Sequence, residues 1–392
     1  SPSIDVVDRL RDVNAAEWDA LVGDDNPFVE HAFLMALEES RSVGTGTAWQ
    51  PCHLVIRVDH KLVAAMPLYE RSDSYGEYIF DWSWAQAAQR SHVRYFPKLT
   101  SAIPFVPATG PRVLVAPGFD ANLAREALSA AALELMHDKK ASSVHVLFPR
   151  DHEAAHIASL PDLHYGRRAS MQFHWRNDGY ASFDAFLEQL THDDRKQIKR
   201  ERRRVVEAGV DIEVHNGVDV EPALWPEIFS LYTSISDRKW GRPYLTRAFF
   251  ELMPKHRALV ALARKGGRVV AMTLSFEKGA HIYGRHWGCS DDIPGLHFEL
   301  CYYRLLERAI ATKATLVEAG AQGEHKLKRG FLPVITHSLH AFADARFGAA
   351  VHRFLEDESA AVRAEQQELA AHGPFKEGTA PKRALVAGVD DL

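Results

Sequence analysis

The feature that most constrains this 392-residue chain is that it repeats itself. Segments match in the same order in both halves. PFVEHAF (Pro27 to Phe33) matches PYLTRAF (Pro243 to Phe249), and LVAAMPLYE (Leu62 to Glu70) matches RVVAMTLSFE (Arg268 to Glu277). YIFDWSW (Tyr78 to Trp84) stands against HIYGRHW (His281 to Trp287), and LELMHDKKASSVHV (Leu133 to Val146) against LERAIATKATLVEA (Leu306 to Ala319). A repeat of this length must be read before any single motif, because it makes each half one structural unit.

Each half also carries the same run of periodicities. A helix is predicted near 28–39 and again near 244–256. Strands follow at 53–59 and 62–70, and at 258–264 and 268–277, turning at Asp59-His60-Lys61 and Lys265-Gly266-Gly267. The third matched segment reads as a strand with alternating aromatics. A long amphipathic helix is expected at 122–138 and 296–312, then a closing strand at 144–148 and 316–320. This pattern predicts an α/β fold of layered α+β type, with mixed, mostly antiparallel sheets flanked by helices. The expected division is 1–165, 166–348 with a charged helix at 182–208, and 349–392 as a surface helix and mobile tail.

Composition narrows the function classes. The formal net charge of −5 argues against a general nucleic-acid binder, though a local basic patch remains open. Three cysteines without CxxC spacing make neither a disulfide framework nor a structural zinc site. Reduced thiols and the charged start SPSIDVVDRLRDV fit a cytoplasmic protein, and no run of apolar residues is long enough for membrane insertion. HEAAH at 152–156 matches the zincin pattern. With 21 histidines a chance match is not rare, and Pro161 interrupts the helix soon after. The repeat also places Asp151-His152 opposite Glu324-His325, so no metal is expected. His337 and His340 fall on opposite faces of a strand. Nucleophile-elbow, Walker and dinucleotide strings are absent.

Three segments resemble the FemAB-like N-acyltransferases of the GNAT superfamily: HWG followed by LHFELCYYRLLERAI, EAGAQGEHKLKRGF (Glu318 to Phe331), and HDDRKQIKRERRRVVEAGV (His192 to Val210). The resemblance covers about 1–345. It implies tandem duplicated GNAT-like domains and acyl transfer to an amine, from acyl-CoA in typical GNAT proteins and from aminoacyl-tRNA in Fem-type enzymes. The GNAT phosphate loop is replaced here by CSDDIPGLHFE, whose Asp291 and Asp292 would oppose a bound phosphate.

Amide formation needs a base, oxyanion donors and cations for the donor's phosphates. Segment 318–331 holds all three residue types. Glu318, in an otherwise apolar strand, and His325 are the leading bases, with Glu324 and His286 as further candidates. Gly295, Leu296 and His297 at the helix start, with Lys326, Lys328 and Arg329, are candidates for holding the donor, expected to be acyl-CoA. Arg285, Trp287, Glu299 and Gln322 are candidates for the acceptor, an amino acid, peptide or related small amine. Tyr302 and Tyr303 read as core. The basic run Arg195, Lys196, Lys199, Arg200, Arg202, Arg203 and Arg204 reads as a solvated face or a tRNA contact. A non-catalytic amine- or peptide-binding module is the reading from another class.

Overall fold

The structure is a computed structural model that describes residues 2–239, 243–321 and 323–381. Its strands, in chain order, are β1 (Pro2–Val7), β2 (Trp49–Pro51), β3 (His53–Val58), β4 (Lys61–Met66) and β5 (Tyr69–Arg71). They continue with β6 (Lys98–Ser101), β7 (Leu114–Val115), β8 (Ser143–Leu147), β9 (Gly166–Arg176) and β10 (Val210–Asn216). The last are β11 (Ala258–Lys265), β12 (Arg268–Lys278), β13 (His281–Cys289), β14 (Leu316–Glu318) and β15 (Leu332–Phe342). They form a four-stranded sheet, β1-β3-β4-β7, and an eleven-stranded sheet, β10-β11-β12-β13-β14-β9-β15-β8-β6-β5-β2.

Both expected hairpins form. Val58 pairs with Lys61 and Lys265 with Arg268 across their turns. In the second half, β10 to β13 run antiparallel without a break, and β13 then pairs in parallel with β14. The first half follows the same plan, but its two long strands are broken. β3 and β4 belong to the small sheet, while β2 and β5 join the large one. One expectation needs correction. The first half's third strand is β6, parallel to β8, and not Tyr78–Trp84. Trp82–Arg90 is a helix, inside a segment that the second half lacks.

The large sheet joins the two halves through β9 and β15. β8 of the first half pairs with β15, and β14 of the second half pairs with β9. β9 and β15 lie antiparallel between them, from Leu332 opposite His174 to His340 opposite Gly166. Equivalent residues of the first repeat pair also meet. Phe33 of helix His31–Glu39 contacts Phe249 of helix Arg247–Leu252 edge-on at 5.7 Å, and both halves share one apolar core there.

The helix predicted at 296–312 runs from Leu296 to Thr312, with a π-helical turn at Glu299–Tyr303. The charged segment 182–208 is two helices, Phe183–Leu187 and His192–Glu207. The final helix, Ala345–Ala371, lies across β9 and β15 and buries Val351 and Leu355. The tail expected to be mobile is docked as far as it is described. Thr191 N donates to Pro374 O at 2.8 Å and Lys376 N to Gln189 O at 2.8 Å. The remainder, 382–392, lies outside the described residues.

Candidate active site

The site begins where two parallel strands part. β13 pairs with β14 only from His281–Leu316 to Tyr283–Glu318. Beyond Tyr283, β13 runs on to Cys289 while β14 has ended, so among the described residues its edge has no ladder partner on that side. The wedge between them is a cavity of ≈ 120 Å³. Gly284, Arg285, His286 and Trp287 form one wall, Ala319 another, and Tyr302 and Leu305 the roof. Gly284 suits this close approach, since a Cβ there would stand 3.0 Å from Leu305 Cδ1 and 3.5 Å from Ala319 Cα.

A bulge sits at the wedge. Leu274 pairs with His286 and Ser275 with Gly284, which leaves Arg285 without a partner on β12. Bulges re-aim side chains. This one breaks the strict alternation that sequence predicts, so Arg285, His286 and Trp287 all line one cavity. The Arg285 guanidinium is held at 2.6 Å by the carbonyl of Phe105 from the first half. His286 packs edge-on against Tyr232, and burial beside Arg285 pushes its pKa well below the ordinary value, so it is neutral.

Over the wedge, the Tyr302 hydroxyl and His325 Nε2 lie 2.7 Å apart. Burial, followed by Arg329 and Lys326, lowers the His325 pKa. The imidazole is therefore neutral near pH 7 and able to accept a proton. Tyr302, read from the sequence as core, is buried in an apolar cluster with Tyr303 and Phe331 and also lines the wedge. The π-helical turn carries it, and such turns occur often at functional sites. A helical-wheel reading has no means of seeing that extra residue.

A family model described as peptidoglycan biosynthesis/recognition matches residues 9–377. The chain belongs to the FemAB-like family. FemX has a solved structure of the same fold, with 11% identity, a TM-score of 0.53, and coverage of 87% of this chain and 98% of that one. A conserved protein of unknown function from Bacteroides thetaiotaomicron matches at 13% identity and a TM-score of 0.50, covering 87% and 100%. A tandem GNAT protein from the clavulanic acid biosynthesis pathway matches at 13% identity and a TM-score of 0.48, covering 88% and 99%. No curated protein matches. The chain thus shares its family with FemAB-like proteins and its fold with FemX.

The other predicted residues separate into distinct environments in this FemAB-like chain. Glu318 is buried in β14, with Oε1 3.5 Å from His174 Nε2. Burial holds His174 at about 3, so the imidazole is neutral. Glu324 and Lys328 point to solvent, whereas Lys326 and Arg329 turn inward, as three residues per turn requires. Lys326 Nζ donates to Gly320 O at 3.0 Å, and burial lowers its pKa to about 7. Arg329 is paired with Glu201 at 2.6 Å. The three cations expected to converge on phosphates do not share a face.

Glu299 accepts from Arg202 and Arg304, each at 2.9 Å, so it is an ion-pair partner inside the protein and not part of the wedge lining. Gly295 has φ +86°, and a Cβ on it would stand 2.9 Å from Glu201 O. The basic helix thus packs against the helix start. Leu296 is buried in an apolar cluster with Val205 and Val210. His297 packs edge-on against Trp287 at 5.1 Å, at the wedge rim. Gln322 lies outside the described residues. In HEAAH, Glu153 accepts from the backbone N–H groups of Arg112 and Val113, the latter at 2.6 Å, so it fixes a loop.

Five cations of the basic run, Lys196, Lys199, Arg200, Arg203 and Arg204, are exposed, and helical spacing puts them on one stripe. Arg195 is half-buried, and Arg202 is consumed by Glu299 and Glu307. No described helix is long and apolar enough to cross a membrane.

Proposed function

We propose that the chain moves an acyl or aminoacyl group from an activated carbonyl onto an amine, within the wedge of the second half. The observation that carries this reading is the parting of β13 and β14 at the Arg285 bulge. There an unpaired strand edge can hold the donor's backbone-like atoms and its carbonyl oxygen. The amine nitrogen attacks the carbonyl carbon, the C–N bond forms, and the bond to the leaving oxygen or sulfur breaks. The ammonium gives up its proton and the leaving group takes one. Tyr302 in the roof, hydrogen-bonded to His325 behind it, is suited to relay that proton to the imidazole. Glu318, enclosed beside His174, supports the strand more directly than the proton transfer.

Acyl-CoA is the donor that the GNAT resemblance implies. Two observations favour the Fem-type alternative, an aminoacyl-tRNA. The helix start that would receive a pyrophosphate is crowded by Glu201, and the exposed five-cation stripe suits a polyanion. With either donor the reaction is cytoplasmic. The test is amide formation by mass spectrometry from acetyl-CoA, longer acyl-CoAs or charged tRNA with a mixed panel of amines. His325→Asn should lower kcat about 100-fold with little change in KM. Full activity in both His325→Asn and Tyr302→Phe would remove the proton-carrier assignment.

A further inference from the structure

Arg285 also lines a second and larger cavity, of ≈ 310 Å³. The two halves build it together. Tyr75, Tyr78 and Trp82 come from the first half, and Tyr244, Arg285 and Gly320 from the second. The cavity is continuous in sequence with the wedge, since Ala319 lines the wedge and Gly320 and Ala321 line the cavity.

The aromatic wall stands on a buried ionic frame. Arg71 and Lys98 are fully buried. Arg71 donates to Glu77 at 2.5 Å and to Tyr75 O at 2.8 Å. Lys98 donates to Glu77 at 2.8 Å, to Asp81 at 2.6 Å and to Ser74 at 2.7 Å. Breaking such a pair is strongly destabilising, so the segment 74–81 is held in one conformation. Yet the rings it presents are open: Tyr75 is 54% and Trp82 40% exposed. Large rings held rigidly with an open face form a ligand surface at low entropic cost. Across the cavity mouth Phe105 stacks on Tyr244 at 5.0 Å and joins the halves.

At the junction of cavity and wedge, the Arg285 fork has one arm anchored on Phe105 O, while its buried Nε has no hydrogen-bond partner among the described residues. A guanidinium so placed matches a carboxylate. We propose that this cavity is the acceptor subsite and takes an α-amino acid with a large apolar side chain. The carboxylate sits on Arg285 and the side chain lies against Tyr75, Tyr78 and Trp82. The α-amine, on the carbon next to the carboxylate, is then delivered to the wedge. The smaller wedge receives the acyl group and the larger cavity receives the side chain. This proposal rests on the wedge being the place of acyl transfer.

The test is ligand binding by saturation-transfer NMR and calorimetry, with full-length protein and no donor. The probes are L-phenylalanine, L-phenylalanine amide, L-glutamate and glycine. L-phenylalanine should bind, and the other three should bind at least 10-fold more weakly. Trp82→Ala and Tyr75→Ala, with melting temperatures unchanged, should each weaken L-phenylalanine binding at least 10-fold. Absence of L-phenylalanine binding, equal binding of phenylalanine and its amide, equal binding of phenylalanine and glycine, or unchanged binding in both variants would each overturn the subsite. A protein that binds phenylalanine in this pattern but forms no amide with any donor counts against acyl transfer and leaves the subsite standing. Amide formation on amines, with no dependence on Trp82 or Tyr75, counts against the subsite alone.

Discussion

Glu201→Gln should cost about 3 kcal/mol of stability, toward the low end of the roughly 3–5 kcal/mol expected for breaking a buried ion pair. Glu201 Oε1 lies 2.6 Å from Arg329 Nη2, and Oε2 lies 3.3 Å from Nε. Tyr303 donates to the same carboxylate, and Gln197 to its Oε1 at 3.0 Å. The side chains are 9% and 4% exposed, so solvent screens the pair little. A glutamine keeps an acceptor oxygen, which places the loss near the lower limit, but it leaves the Arg329 charge buried over the Phe298 ring, 3.5 Å from its centroid. Glu201→Gln/Arg329→Met removes both charges and keeps an apolar chain over that ring. The double variant should lose only about 1 kcal/mol, a coupling of about 2 kcal/mol or more. Arg329 also donates to His325 O at 2.5 Å, so the single variant should lower kcat as well. Urea unfolding followed by tryptophan fluorescence measures the stability. A single-variant loss below about 1 kcal/mol, or a double variant that loses the sum, would refute the reasoning.

Further outcomes follow from the same structure. His145, His174 and His340 are buried with lowered pKa values, about 3 for the first two. They are neutral when folded and take a proton near pH 6.5 when unfolded. Their contribution is complete above that pH and is lost as pH falls below it, by about 1.4 kcal/mol per pH unit for each histidine. Equilibrium unfolding at pH 7.5, 6.5 and 5.5 checks the slope, and His145→Asn should reduce it. Gly295→Ala should destabilise by roughly 1–3 kcal/mol through its positive φ and the approach of Glu201 O, read from thermal melts. If charged tRNA is the donor, Lys199→Glu/Arg203→Glu should raise its Kd and flatten the salt dependence by about two phosphate contacts' worth of slope, near 0.9 each. An unchanged slope removes the stripe from donor binding.

The fold was legible where its determinants are local. The turns at 59–61 and 265–267 and the helix ending at Asp138 were read from short-range signals, and they stand where expected. The assignment of Tyr78–Trp84 to a strand failed because matching aromatics do not distinguish a strand from a loop and helix that pin a cavity wall. The pairing of β9 with β15 was invisible, since it joins residues 158 or more positions apart. The site followed the same division. Arg285, His286, Trp287 and His297 were singled out and do line the wedge. The bulge at Arg285 and the π-helical turn beneath Tyr302 each add one residue that periodicity cannot register. Glu299 and Arg329 have the residue types of a ligand site, but their partners, Arg202 and Glu201, lie about 100 or more positions away. Charge in a sequence shows that a partner is needed, and only the fold shows whether that partner is internal.

The central claim is that the amide forms in the wedge between β13 and β14. Gly284→Val fills that wedge, because even a Cβ at this position stands 3.0 Å from Leu305 Cδ1. Mass spectrometry of the amide product, from wild type and Gly284→Val with the same donors and amines, tests the claim. The account predicts product from the wild type and a loss of at least 100-fold in the variant, at unchanged circular dichroism. Equal product from both proteins would contradict it.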